Sequence, residues 1–219
     1  FCNVVVETDK EYFMKILTTS RTKINFAIFF TVAFFFFSLS IVSAQTFYVC
    51  SSANGTDNGA DWSNAYTDLP DTLQRGATYY IAGGDYSSYT FDDTESGSSM
   101  ISVIKATVSD HGTDVGWNIA YGEETAVFGR IHFETGYYLF DGVNGGGAKN
   151  WTDGHGFEIS VYWSSDERNG RILSFSRYVS NIEIKHTNLH PEVVHQGFGH
   201  VFYGLQISNI VIDHCYAHD

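Results

Sequence analysis

Two stretches of this chain match at a fixed distance. "SNIEIKHTNLH" (Ser180–His190) and "SNIVIDHCYAH" (Ser208–His218) share Ser, Asn, both Ile and both His, six of 11 positions at an offset of 28. Self-similarity at a period of 20–50 residues signals stacked repeats. Within each copy the Ile residues alternate with polar ones, which is the period of a strand. Ile182 and Ile184 therefore share a face, as do Ile210 and Ile212. One short strand every 28 residues is too sparse for a meander of hairpins. It suits a chain that returns once per turn and lays each strand parallel to the last.

The beginning of the chain is unlike the rest. "MKILTTSRTKINFAIFFTVAFFFFSLSIVSA" starts at Met14 with Lys15, Arg21 and Lys23, continues into an apolar run from Phe26, and closes on "VSA" with small residues at Val42 and Ala44. That is the pattern of a secretory signal peptide, residues 14–44, with cleavage after Ala44. A membrane anchor is the competing reading, because Phe26–Val42 is 17 residues without charge, close to the lower limit for spanning. Thr31, Ser38 and Ser40 dilute the run, and the cleavage signal favours removal. Residues 1–13 precede the methionine and read as an upstream extension. The expected organisation beyond is an N-terminal cap and first turn at 45–99, then repeats at 100–219 that stop inside one copy.

After Ala44 there are eight basic and 22 acidic side chains, a net charge of −14. Such a domain lacks the footprint of a nucleic-acid or anionic-membrane binder, and it repels a polyanion unless a metal or a local basic patch intervenes. Two cysteines remain, Cys50 and Cys215, at opposite ends; no bridge between them is expected. "NGT" at Asn54 and "NWT" at Asn150 are glycosylation sequons for a eukaryotic host.

The stretch after the signal reads as a strand (Thr46–Cys50), a Gly/Asn/Asp loop, then Trp62, Ala65, Tyr66, Leu69 and Leu73 at helical spacing, and a second strand in "TYYIAGG". Pro70 is expected to open a second short helical turn that Gly76 ends. Further strands are expected in "MISVIKA", "VFGRIHF", "YYLFDGV", "GFEISVYW", "RILSFS" and "HVFYGLQI". "NGGGAKNWTDGHG" (Asn144–Gly156) reads as a projecting loop.

Gly55, Asp57, Trp62, Ala65, Leu69, Gly76, Tyr80, Gly84 and Tyr86, together with the closing "NIVIDHCYAHD", resemble secreted right-handed parallel β-helix proteins of the pectate-lyase-like superfamily. The resemblance implies an all-β fold: a right-handed parallel β-helix, opened by a short N-terminal capping helix over its exposed apolar end and lacking its C-terminal turns. It speaks to fold more than to activity, because one scaffold hosts many functions.

Several residues could carry chemistry. "GHG" around His155, with Asp153 just before it, is similar to a motif of polygalacturonase-like β-helix enzymes. Those enzymes place their motifs on separate turns and add an Asp pair and an "RIK"; here the nearest basic motif is "RIL" at Arg171. A polar turn is the simpler reading. Lys185 falls opposite Asp213 at the 28-residue offset, both on the outward side. Polysaccharide lyases of the superfamily use a Lys or Arg base, which makes this pair a catalytic candidate; the plainer reading is an exposed ion pair of little energetic value. His186 with His214, and His190 with His218, should stack as ladders rather than hold a metal, whereas His132 and His195 have no evident partner. Asp92, Asp93 and Glu95 form an acidic cluster that could hold Ca²⁺, or be a solvated loop. Of the many aromatics near strands, among them Tyr79, Tyr80, Tyr137, Tyr138, Tyr162 and Trp163, outward ones suit sugar stacking and inward ones fill the core.

The expected function is that of a secreted, extracellular or periplasmic, carbohydrate-associated protein with polysaccharide as partner. It is a scaffold for a polysaccharide lyase or glycosidase, monomeric when full length and free of the membrane once the signal is cleaved. The rival is a non-enzymatic surface protein of adhesin type. Converging Lys, Asp and Glu on one outward sheet would favour the enzyme; ladders alone would favour the adhesin.

Overall fold

In a computed structural model, residues 44–147, 150–162, 171–192 and 200–218 are described, all within one unit, Ala44–Asp219. The signal peptide, residues 1–13, Trp163 and His195 lie outside the described residues. The strands in chain order are β1 (Thr46–Val49), β2 (Thr78–Ile81), β3 (Gly84–Tyr86), β4 (Tyr89–Phe91), β5 (Ile101–Lys105), β6 (Ala126–Phe128), β7 (Ile131–Phe133) and β8 (Tyr138–Asp141). They continue with β9 (Phe157–Tyr162), β10 (Arg171–Phe175), β11 (Ser180–Lys185), β12 (Thr187–Glu192), β13 (His200–Tyr203), β14 (Ser208–Asp213) and β15 (Tyr216–Ala217). Among the described residues the only α-helix is α1 (Ile119–Glu123), of five residues.

The chain is all-β, and its strands pair in parallel. They form three sheets, ordered β1-β2-β5-β8-β11-β14, β3-β6-β9-β12-β15 and β4-β7-β10-β13. From β2 onward, successive strands fall to the three sheets in rotation. Parallel neighbours need a crossover of a dozen residues or more. Here the crossover consists of strands belonging to the other two sheets. The 28-residue offset survives as register: Ile182 pairs with Ile210 and Ile184 with Ile212.

Several of the turns between sheets are tight. β11 and β12 are separated by His186 alone, whose φ is +49°, and His214 repeats the conformation at +52°. One left-handed residue redirects the strand while alternation continues: Ile182 and Ile184 point inward before it, Thr187 and Leu189 after it, and all four are buried. The run read from sequence as one repeat is thus two strands around a corner. At the start of β11 and β14 sit Asn181 (φ +59°) and Asn209 (φ +50°). Asparagine tolerates this region better than most residues. The Asn209 amide donates to the Asn181 Oδ1 at 2.5 Å, a polar ladder at the opposite end of the same strands.

The core lies between the sheets and is built of like residues in register. Phe91, Phe133 and Phe175 pair across β4, β7 and β10 and stack at 4.6 and 5.4 Å, with rings within 13° of parallel. Tyr86 stacks on Phe128 at 5.1 Å and Phe47 on Tyr79 at 5.0 Å. Each such pair adds about 0.5–1.5 kcal/mol to the burial term.

The capping helix expected over Trp62–Leu73 is absent. Trp62–Asn64 form a single 3₁₀ turn capped by the Asp61 carboxylate, and the chain then extends at Ala65 (φ −57°, ψ 151°). The reason is that the helix-spaced residues serve two different surfaces. Trp62 and Ala65 pack with Tyr48, Cys50, Ala82 and Ala106, whereas Leu69 and Leu73 belong to the main core. No helical face could reach both. The segment caps β1 by its backbone instead: Tyr48 N–H donates to Gly59 O at 3.0 Å, Tyr66 N–H to Tyr48 O at 2.9 Å, and Cys50 N–H to Tyr66 O at 2.8 Å. An open sheet edge is thereby covered. Likewise no helical turn follows Pro70, and Gly76 (φ +83°) is part of a turn leading into β2. Cys50 and Cys215 are free thiols, as expected.

Candidate functional site

At the end of the first sheet the register builds a column of outward side chains. Lys185 on β11 lies between Asp141 on β8 and Asp213 on β14. The next position is the corner, where His186 and His214 sit with ring centroids 5.1 Å apart. Asp141 Oδ1 faces His186 Nδ1 at 2.7 Å, and Asp213 Oδ1 faces His214 Nδ1 at 2.8 Å. With its proton on Nδ1, each imidazole is oriented by its carboxylate and keeps Nε2 as an acceptor. Asp141 Oδ1 also accepts the Val143 N–H at 2.7 Å, which fixes the carboxylate.

The described parts of the following loop, residues 143–147 and 150–156, fold back onto this corner. Its close approaches explain its glycines. A Cβ on Gly156 would run into the Gly142 carbonyl, one on Gly142 into the His186 carbonyl, and one on Gly146 into the His214 carbonyl. The loop sets the half-exposed Trp151 ring 5.7 Å from the His214 ring. It also brings His155 to the base of the face, only 5% exposed. Burial pushes the His155 pKa down, and the neighbouring His186 acts in the same direction; the His214 backbone and the Asp153 and Glu158 carboxylates oppose it. Its Nε2 is buried without a hydrogen-bond partner among the described residues.

Three candidates from different parts of the sequence, His155, Lys185 and Asp213, therefore share one region of the molecule; Asp153 is exposed on the loop nearby. The Lys185–Asp213 ion pair expected across strands does not form. Glu183, two residues earlier on the same outward face, binds the Lys185 Nζ at 2.5 Å, while Asp213 is taken by His214. The hydrogen bond to Glu183 holds the Lys185 pKa above its ordinary value, with Asp141 and Asp213 adding to it. Lys185 thus donates to Glu183 and stands in register between Asp141 and Asp213.

Chain comparison adds nothing to this picture. No family model, curated protein or solved structure matches the chain. What the site can do rests on its own residues.

The acidic cluster lies elsewhere and is engaged by protein donors. Asp92 is exposed. Buried Asp93 accepts from Leu73 N–H at 2.6 Å and from the Tyr138 hydroxyl at 3.1 Å. Glu95 accepts from Gly136 N–H at 2.8 Å. Arg75 completes the network, donating to the carbonyls of Gly136 and Tyr137 at 2.7 and 3.0 Å and lying over the Tyr138 ring. Asp93 and Glu95 thus join the turns before β2 and β8. No group of three or more His, Cys, Asp or Glu is arranged to hold a metal ion among the described residues.

Sequence reading missed two features. Asp141 and His186 are 45 residues apart, so only register reveals them as a pair. Lys105 is 2% exposed and ends an alternating strand, "ISVIK", on the same parity as buried Ile101 and Val103. That parity was a usable signal. Lys105 Nζ donates to the carbonyls of Ala106 and Tyr121 at 2.6 and 2.7 Å, tying α1 to the end of β5. Burial lowers its pKa to about 8, with Glu124 opposing. Enclosed and bound to carbonyls, Lys105 holds a corner together and does not reach a substrate.

The histidine ladders form as expected, His190 and His218 stacking at 4.6 Å. His132, for which no partner was evident, lies between two serines, with Ser174 Oγ 2.8 Å from Nδ1 and Ser176 Oγ 3.2 Å from Nε2.

Proposed function

We propose that the chain is a secreted right-handed parallel β-helix protein of pectate-lyase-like architecture that acts on polysaccharide at its Asp141/His186 face. The observation carrying the architecture is the rotation of successive strands among three parallel sheets. A right-handed sense is the one that parallel crossovers adopt almost without exception. Export rests on the charged start, apolar run and small-residue cleavage pattern of residues 14–44.

The support for chemistry is the convergence of acid, base and cation on one outward face. His186, oriented by Asp141, accepts or returns a proton through Nε2; Lys185 supplies a fixed positive charge beside it. Such a set suits cleavage of a glycosidic linkage by hydrolysis or elimination. A non-enzymatic surface protein is the second reading, favoured by the Asn181–Asn209 and His190–His218 ladders, which need no substrate to explain them.

Reducing-end release from a panel of polysaccharides separates the two readings. His186→Gln should lower the rate by about 10²–10⁴-fold, with an unchanged far-UV spectrum, and Asp141→Asn should weaken activity through loss of ring orientation. Glycan binding without turnover in the unmodified protein would select the surface-protein reading.

A further inference from the structure

The Asp141/His186 face has a charge balance that bears on which glycan it takes. Its described carboxylates are Asp141, Glu183 and Asp213, with Asp153 on the adjoining loop. Against them stands one described ammonium, Lys185, already bound to Glu183 at 2.5 Å. Lys105, the other described lysine near this corner, is enclosed and spends its donors on two backbone carbonyls. A uronate polymer would bring a further carboxylate per sugar against this surface, and like charges in contact oppose binding. The domain's net charge of −14 repels such a polymer at longer range as well.

Hydrogen-bond type points the same way. Ionised carboxylates only accept, and a neutral sugar presents hydroxyl donors, whereas a uronate carboxylate presents acceptors. Beside the carboxylates stands Trp151, 49% exposed and 5.7 Å from His214. The C–H face of a pyranose is flat and apolar, and an open indole is the side chain best shaped to cover it.

We infer that this face takes uncharged glycans, with Trp151 as the stacking platform for one sugar ring, and that it excludes uronate polymers. The inference rests on the polysaccharide reading above and narrows it to uncharged glycans and to hydrolysis, because elimination needs the acidic C–H beside a uronate carboxylate. It is testable by affinity electrophoresis of the secreted chain through gels containing mixed-linkage β-glucan, xylan or galactomannan, and separately polygalacturonate or alginate, at low salt with and without calcium. At least one neutral polymer should retard the protein and neither uronate polymer should. Trp151→Ala should weaken the retardation by about tenfold. Tyr178→Ala, at an exposed ring on a different turn, should leave it unchanged. Retardation by a uronate polymer alone, or neutral binding indifferent to Trp151→Ala, overturns the inference and leaves the polysaccharide reading standing. Binding to neither class overturns both.

Discussion

Lys105 illustrates how one side chain can set a pH dependence for the whole fold. Its carbonyl bonds tie α1 to β5, but the ammonium is held out of water and its pKa falls to about 8 from 10.5. Between those values the unfolded chain binds more protons than the folded one, so stability rises with pH, by up to about 1.4 kcal/mol per unit. Below pH 8 both states are protonated and the penalty is constant. Tyr79, Tyr80 and Tyr138 work oppositely. Burial raises each to about 12 from 10.0, so stability is lost as pH climbs through that range. Burial likewise raises the Cys215 thiol from 9.0, so the Lys105 contribution is visible between pH 8 and 9. Urea unfolding of the wild type should become harder across that window, and Lys105→Met should flatten the trend. An identical slope in the variant would mean that the ammonium is not desolvated.

At the scale of the strand, identical residues in register do not have identical value. Ile184 and Ile212 pair across β11 and β14, yet Ile184 is fully buried and Ile212 is 42% exposed. Truncating a buried isoleucine costs the transfer term plus a cavity, about 2–5 kcal/mol. At the exposed position little cavity forms, and about 1 kcal/mol or less is expected. Ile184→Ala should thus lower the urea midpoint well beyond Ile212→Ala. Equal shifts would show that β14 is enclosed in solution by something other than its described neighbours. The same logic explains the loop over β1. Trp62 is 1% exposed without belonging to a helix, because its indole N–H reaches the His111 carbonyl at 3.0 Å and its ring packs against Tyr48 and Trp117. A helix was not needed to close that end; three backbone hydrogen bonds and one large ring suffice.

For the molecule as a whole, the proposed export is the prediction to test, and the charge of the domain bears on it. A domain carrying 22 acidic groups against eight basic ones stays soluble by self-repulsion and meets its ligands outside the cell if residues 14–44 are removed during secretion. The mature protein should begin at Gln45, and N-terminal sequencing of secreted material is the measurement; a start upstream of Phe26 would remove the secretory reading. Gln45 also accepts the Thr78 N–H at 2.8 Å through its carbonyl, so such a cleavage would leave the first ladder bond of β1 intact.

By itself, the sequence determined what is local or periodic. Alternation in "SNIEIK" fixed Ile182 and Ile184 as the inward pair, and the constant offset of 28 fixed their register with Ile210 and Ile212. Both hold because a strand's side-chain period is two and equivalent residues stack when a repeat length is constant. The strand between Thr46 and Val49 and the histidine ladders followed from the same reasoning. Helical spacing from Trp62 to Leu73 misled, because a period of 3.6 describes a helix only if one surface takes all its apolar residues, and here two surfaces divide them. β3 and β4 escaped notice since three-residue strands show too little alternation to register. The Asp141–His186 pair and the return of Trp151 to His214 were decided by tertiary structure alone. They join elements at separations that follow no repeat, and whether a carboxylate meets a lysine, a histidine or a backbone N–H depends on which neighbour the register places nearest.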